Sequence, residues 1–355
     1  MSQENQNIQE EPHKRRVRYK GKYPRNYKEK YKELNPEKYQ DTIEKVIRKG
    51  STPAGMHISI MVREIIDFLK IKPGQTGFDA TLGYGGHTKA MLECLKGQGH
   101  MYATDVDPIE SAKTKKRLAD AGFGEDILTI RLQNFCTIDE IAKEAGGFDF
   151  VLADLGVSSM QIDNPDRGFS FKVDGPLDLR LNPENGISAA ERLAQIDEDE
   201  LAGMLWENSD EPYAEELAHA IVTERKHGKP IDTTTRLREV IEETLSFLPE
   251  KEKKDTVKKT CQRTFQALRI DVNNEFEVLY EFMEKLPGAL KPGGRAAILT
   301  FHSGEDKLVK KALKQGYKEG IYSEIANDVV RPSAEECAQN GRARSTKMRW
   351  AVRAE

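Results

Sequence analysis

Nowhere does this 355-residue chain run apolar for the roughly 20 residues that a helix needs to span a bilayer. Its opening, MSQENQNIQEEPHKRR, is polar and has no apolar stretch of the kind that marks a secretory leader. Cysteine is sparse too: Cys94, Cys136, Cys261 and Cys337 lie far apart and form no C-x-x-C pair. That argues against a disulfide framework or a zinc cluster and suits a reducing cytosol. Aromatics make up only 7% of the chain, yet the 37% hydrophobic content still permits a packed core. Together these absences predict a soluble, cytoplasmic protein.

The length leaves room for one large domain with an insertion, or for two domains. The net charge of −4 is unevenly spread: residues 1 to 50 hold 14 Lys and Arg against 8 Asp and Glu, a balance of +6, which leaves −10 for the remainder. Within KRRVRYKGKYPRNYKEKYK, residues 14 to 32, ten basic residues accompany the single acid Glu29, and Tyr19, Tyr23, Tyr27 and Tyr31 recur at every fourth position. Cations neutralise phosphates and tyrosine rings stack on unpaired bases, so this arm, residues 1–55, suits RNA. Gly21 and Pro24 interrupt any helix, and a solvated, disordered tail is the competing reading.

The most informative stretch is GFDATLGYGGHTKAML, residues 77 to 92, an apolar strand that breaks into Gly83, Gly85 and Gly86 and then into a helix. Glycines let backbone approach a ligand where the first N–H groups of a helix point outward, and an acid at the end of the next strand takes ribose hydroxyls. Asp105 lies 20 residues past Gly85, where that acid belongs. A dinucleotide fingerprint would place a third glycine at position 88, and Thr88 stands there, which weighs against a dehydrogenase. The loop by itself reads either as a nucleoside cradle or as a tight turn with no ligand.

Around it, strands and helices alternate. A helix over TPAGMHISIMVREIIDFLKIKPGQ carries Met61, Ile65, Phe68 and Leu69 on one side, with His57 at its start as a ligand contact, a cap or a packed ring. After the glycine loop come HMYATDVDP, DILTIRLQNF and FDFVLADLG as strands, with helices between them. The rhythm implies a parallel sheet with helices on both faces and ligands at the carboxyl ends of its strands, where Asp79, Asp105, Phe135 and Asp154 all fall. From residue 161 to 268 the pattern turns polar and helical, which predicts an inserted helical substrate domain between core segments 56–160 and 269–355. TCQRTFQALRIDVNNEFEVLYEF reads as one helix whose polar face brings Arg263 and Arg269 toward phosphate, a solvated face being the alternative. In LKPGGRAAILTFHS the glycines close that helix and a strand delivers His302 to the same sheet edge; KMRWAVRA is the last strand.

At DLGVSSMQIDNPDRGFSFKVDGPLDLRLNP the pattern becomes specific. Together with the glycine loop through His87, the TFQALRI helix, the PGGR strand with its FHS, and RARS, it closely resembles the bacterial 16S rRNA cytosine-N(4) methyltransferase family, the RsmH (MraW) type, over residues 56 to 355. The family pattern has HPATRTFQ, FHSLED and NPRARS where this chain has KKTCQRTFQ, FHSGED and NGRARS, so the chain reads as a divergent branch. The resemblance implies a class I S-adenosylmethionine-dependent methyltransferase, an α/β Rossmann-like sheet with an inserted all-helical domain. It implies S-adenosyl-L-methionine contacts at Gly85, Gly86, His87, Asp105, Phe135, Asp154 and Gln161, of which Gln161 comes from the resemblance alone. The substrate it implies is 16S rRNA of the small ribosomal subunit; a homodimer is compatible with it.

The exocyclic amine of cytidine is a poor nucleophile, because its lone pair is delocalised into the ring and attack requires a pyramidal nitrogen. A group that accepts its hydrogens favours that geometry. Asp154 or a nearby carbonyl fills this role, with Ser158 close by and His302 as either proton acceptor or positioning residue. The base must leave its stack to react; Phe169 and Phe171 are stacking faces beside Arg167 for phosphate, or both rings simply pack the inserted lobe. A ribosome-associated RNA-binding factor that keeps the cofactor site without transfer is the rival function, as is a methyltransferase acting on a different RNA.

Overall fold

The computed structural model describes residues 59–355; the basic arm and His57 lie outside the described residues. Seven strands, β1 (Thr76–Asp79), β2 (His100–Asp105), β3 (Leu128–Leu132), β4 (Phe148–Asp154), β5 (Leu290–Thr300), β6 (Tyr322–Ile325) and β7 (Lys347–Arg353), form one sheet. Their order is β3-β2-β1-β4-β5-β7-β6. Strands β1 to β5 pair in parallel, as their alternation with helices implies, and β7 runs antiparallel to both its neighbours. β2 and β3 lie to one side of β1 and β4 to the other, so the order reverses at β1/β4 and a crevice opens at their carboxyl ends.

Helices α1 (Val62–Leu69), α2 (Gly86–Leu95), α3 (Pro108–Asp120) and α4 (Ile138–Ala145) accompany the first four strands. β4 is enclosed on both faces: Phe148, Phe150, Val151, Leu152 and Ala153 are all buried, as the unbroken apolar run FVLA requires. One face packs Met61, Ile65, Leu69, Met91 and Leu92 against it. The other packs Ile138, Ile141, Leu279, Phe282 and Val309. Among the described residues no helix is long and apolar enough to cross a membrane, and all four cysteines are free.

Between β4 and β5 the chain makes α5 (Ser159–Asp163), α6 (Ala189–Gln195), α7 (Glu198–Ser209), α8 (Ala214–Lys226), α9 (Thr234–Thr244) and α10 (Glu250–Asn273). A third hydrophobic cluster, running from Phe169 to Leu268, gathers Leu193, Leu205, Leu217, Leu237 and Phe265 from these helices. Where the family pattern carries His-Pro ahead of TFQ, this chain has Lys259-Thr260. Without a proline to break it, α10 runs uninterrupted from Glu250 across residues 268 and 269. Asn274 then takes a left-handed conformation (φ 50°, ψ 43°), which splits the single helix expected here into α10 and α11 (Glu275–Ala289).

Helix α12 (Ser303–Lys318) and helix α13 (Ala334–Gln339) complete the chain. The glycines of PGGR do not close a helix as expected. α11 runs through Pro287 to Ala289, and Gly293 and Gly294 lie within β5, where pairing with β4 jumps from Phe148↔Leu290 to Phe150↔Arg295. β6 has no counterpart in the sequence reading, because YSEI is four residues long with only Tyr322 buried and shows no apolar alternation.

Candidate active site

β1 ends in Asp79, whose buried carboxylate accepts from Thr88 Oγ1 at 2.6 Å and from the Thr81 N–H at 3.0 Å. Burial pushes its pKa up. Thr88 therefore stands where a dinucleotide loop has glycine because the acid beneath it needs a donor. In the loop above, the Gly83 N–H donates to Asp105 Oδ2 at 2.7 Å and the Asp107 N–H to Asp105 Oδ1 at 2.9 Å. Helix α3 fastens the outer side: Thr114 Oγ1 donates to the Gly83 carbonyl at 2.5 Å, and the Arg117 guanidinium lies 3.8 Å from the centre of the Tyr84 ring. Gly85 is required twice over, since its φ is 82° and a Cβ there would stand 2.6 Å from Thr114 Cγ2.

His87, in the first turn of α2, donates from Nε2 to the Ile60 carbonyl at 2.8 Å; a carbonyl only accepts, so that nitrogen carries the proton. Its Nδ1 lies 3.4 Å from Asp154 Oδ2. Asp154 closes β4, with its N–H bonded to Thr81 Oγ1 at 2.7 Å. Its side chain keeps 26% exposure, yet Oδ1 itself is buried and has no hydrogen-bond partner among the described residues. Burial pushes both Asp105 and Asp154 up to about 6; His87 works against this at Asp154, while the charges of Asp79 and Glu305 reinforce it.

Ser158 caps α5: its Oγ accepts from the Gln161 N–H at 3.2 Å, and the Ser158 N–H donates to Gln161 Oε1 at 2.8 Å. Gln161 Nε2 donates to Asp107 Oδ2 at 2.9 Å, which ties this turn to the end of β2. Phe135 is half-buried beyond β3, edge-on to Phe282 at 5.2 Å between centroids. Two hydrogen-bonded sets therefore stand at the carboxyl ends of the strands: Ser158 and Gln161 reach Asp105 and the glycine loop through Asp107, and Asp154 reaches Asp79 and Thr88 through Thr81, with Gly85, Gly86 and His87 in the turn that opens α2.

The residues expected to meet RNA sit differently. Arg167 is buried; it donates to Asp107 Oδ2 at 2.6 Å and to the carbonyls of Arg180 and Leu181 at 3.1 and 2.7 Å. Phe169 lies in the helical cluster, and Phe171 packs against that cluster edge-on to Phe265 at 5.6 Å. Arg269 makes a two-pronged pair with Glu275 at 2.7 and 2.9 Å. Arg263 is 38% exposed and 3.8 Å from the buried Glu211.

At the end of β5, His302 caps α12, its Nδ1 accepting from the Glu305 N–H at 3.5 Å. Nε2 lies 3.1 Å from Glu305 Oε1 without hydrogen-bond alignment. Glu305 also accepts from the Phe301 N–H at 2.7 Å. Burial favours its neutral form, but the close approach and charge of His302, the Phe301 N–H and Arg269 outweigh that and hold the carboxyl below its ordinary range. Glu275, His302 and Glu305 bring ligand-type atoms within 4.8 Å of one another, and Arg269 already supplies the positive charge at Glu275.

Gly304 replaces the leucine of the FHSLED pattern, and a Cβ there would stand 2.6 Å from Phe276 Cζ. Gly304→Leu should therefore cost about 1–3 kcal/mol by overpacking. In urea denaturation the Gly304→Leu/Phe276→Ala pair should recover most of that loss; a pair no better than additive would refute the account.

A model of the MraW methylase family matches residues 54–354. The chain belongs to the MraW methylase family. The methylase is 82% identical over 347 residues to a protein of Agathobacter rectalis named ribosomal RNA small subunit methyltransferase H 1, covering 98% of this chain and 99% of that one. It is 71% identical over 346 residues to the protein of the same name from Lachnoclostridium phytofermentans (98% and 94%). It is 63% identical over 345 residues to ribosomal RNA small subunit methyltransferase H 2 of Alkaliphilus metalliredigens (97% and 99%). The methylase is an α/β enzyme whose seven-stranded sheet is of the class I methyltransferase type.

Sequence reasoning missed the residues that hold the candidate site together. Asp107, Thr81, Thr114 and Arg117 touch the loops and strand ends that carry the expected contacts. Only Asp107 was signalled, as an acid directly before a proline at the head of a helix.

Proposed function

We propose that this methylase moves the methyl group of S-adenosyl-L-methionine to the exocyclic N4 of a cytidine in 16S rRNA of the small ribosomal subunit. The observation that carries the reading is Asp154 Oδ1, a buried acceptor without a partner at the strand end beside the glycine loop. A buried oxygen of this kind is costly unless something donates to it, and an amine N–H of the target base is the donor the reaction supplies. The relatives' names favour small-subunit rRNA as the source of that base.

The residues fit the cofactor. Gly85 and Gly86 make the tight turn that opens α2, Asp105 keeps acceptor capacity beyond its two backbone bonds, Phe135 offers a flat apolar face, and the carboxylates of Asp105 and Asp154 suit a cationic ligand. Bound there, a sulfonium supplies an activated methyl group. The chain's own part is to hold that ligand, to accept the amine hydrogen at Asp154 as the nitrogen becomes pyramidal, and to fix the Asp154 backbone through Thr81. Ser158 and His302, tied up as caps, set the backbone of the two loops beside Asp154.

Radiolabelled methyl transfer to small-subunit rRNA, followed by nucleoside mass spectrometry, tests this. Labelled N4-methylcytidine at a single position is the expected product. Tight rRNA binding with no transfer, or label on another base, would overturn the proposal.

A further inference from the structure

Helix α12 carries a surface that the reaction above leaves unused. Its buried side is Glu305, Asp306, Val309, Leu313 and Gly316. The opposite side presents Lys307, Lys310, Lys311, Lys314 and Lys318, all exposed. At 100° per residue the five lysines fall within an arc of roughly 100° and extend over about 16 Å of helix. Tyr317, 51% exposed, lies along the same side.

These charges lack compensation. Lysines elsewhere meet carboxylates, as Lys113 does at 2.8 Å from Glu110, Lys285 at 2.6 Å from Glu281 and Lys291 at 2.8 Å from Asp149. Among the described residues none of the five on α12 has an ion pair or hydrogen bond. The helix's own acids are buried and engaged, Glu305 with His302 and Asp306 with Lys347 and Arg349. By contrast, the lysines of α10 alternate with Glu250, Glu252 and Asp255. Lys307/Lys310, Lys307/Lys311, Lys310/Lys314, Lys311/Lys314 and Lys314/Lys318 are all like-charge neighbours one turn apart, an arrangement that weakens an isolated helix. An otherwise acidic chain thus keeps a self-repelling cationic ridge that begins in the first two turns after His302.

We propose that this ridge is a track for the phosphate backbone of the RNA substrate, holding the strand as it leaves the site; the inference rests on the reading of that substrate as small-subunit rRNA. Phosphates neutralise the repulsion along the ridge, and Tyr317 offers a stacking face to an unpaired base beside it. Running from the second turn of α12 to its last residue, the ridge leads the bound strand toward the end of β5, beside which the target base enters.

The test is the full chain carrying K307Q, K311Q, K314Q and K318Q, compared with wild type and with a K251Q/K254Q/K258Q control. Affinity for deproteinised small-subunit rRNA should fall at least about tenfold, and the slope of log K against log salt should shrink by about two or more, each phosphate contact contributing roughly 0.7–0.9. KM for rRNA should rise while kcat at saturation, cofactor affinity and melting temperature stay at wild-type values, and the α10 control should not reproduce the change in slope. Unchanged affinity and slope would overturn the ridge while leaving the methyl-transfer reading intact. So would a wild type that ignores rRNA but binds phosphatidylserine vesicles. Wild type that binds rRNA without methylating it would remove the proposed reaction, and the change in slope would still decide the ridge.

Discussion

Asp154→Asn lowers kcat for methyl transfer by about 10²–10⁴-fold, the range that a positioned proton acceptor contributes, with cofactor affinity changed by less than about tenfold. The amide keeps the shape of the carboxylate and loses its charge, and its nitrogen presents hydrogens to an amine that needs an acceptor. A loss of cofactor affinity with kcat preserved at saturation would instead make Asp154 a ligand contact and remove it from the chemistry. The variant should also melt no lower than wild type at pH 7.5. Burial lifts the Asp154 carboxyl from 3.8 to about 6, so the native state binds a proton more tightly than the unfolded chain. The stability this group contributes is present below pH 4 and is lost as pH rises through about 6. At neutral pH its charge is a cost to the fold, which asparagine relieves.

The same shift sets the pH dependence of the reaction. An acceptor must be ionised, so kcat/KM should fall on the acid side with an apparent pKa of about 6. Asp105 titrates in the same range, and if it holds the ribose hydroxyls as proposed its protonation weakens that hold, so the limb should be steeper in kcat/KM than in kcat. Rates across pH 5 to 8 at saturating and subsaturating cofactor separate the two. An activity flat to pH 5 would mean that neither carboxylate acts as an ionised acceptor.

What was legible in the chain was local. A strand that breaks into glycines and restarts as a helix announces itself within 16 residues, and Asp105 is placed by counting from it. Thr88, which argues against a dinucleotide, is explained only by the buried oxygen of Asp79 beneath it. Arg167 in RGFSF looks like any exposed cation until the fold sets it against Asp107, 60 residues earlier, and no periodicity encodes that pairing. Arg269 lies on what the helical pattern calls a polar face, but the left-handed turn at Asn274 swings Glu275 back onto it. Gly304 looks like a lost leucine until Phe276 is seen in the space. The strand ends were readable because backbone chemistry fixes them; the partners of the charged residues were not, because tertiary contact chooses them.

Asp107 is where the largest stability effect should appear. It is fully buried. Oδ1 caps α3 by accepting from the Ile109 and Glu110 N–H groups at 3.0 and 3.1 Å, and Oδ2 accepts from Arg167 Nη1 at 2.6 Å and Gln161 Nε2 at 2.9 Å. Asp107→Ala therefore removes a helix cap worth roughly 1 kcal/mol and leaves a buried guanidinium without its counter-charge, a loss of about 3–5 kcal/mol. Arg167→Met is milder, because the capping N–H groups and Gln161 still solvate the carboxylate. The Asp107→Asn/Arg167→Met pair should be less destabilised than the two single changes summed, since they share one interaction. Urea denaturation with cofactor titration reads all of these, and cofactor affinity should fall in each as the Gln161 turn loosens from the end of β2. If Arg167 met phosphate instead, Arg167→Met would leave the unfolding midpoint where it was and raise only KM for RNA. A full-strength midpoint in that variant would therefore reinstate the basic contact read from RGFSF and remove the buried hub from the account of the site.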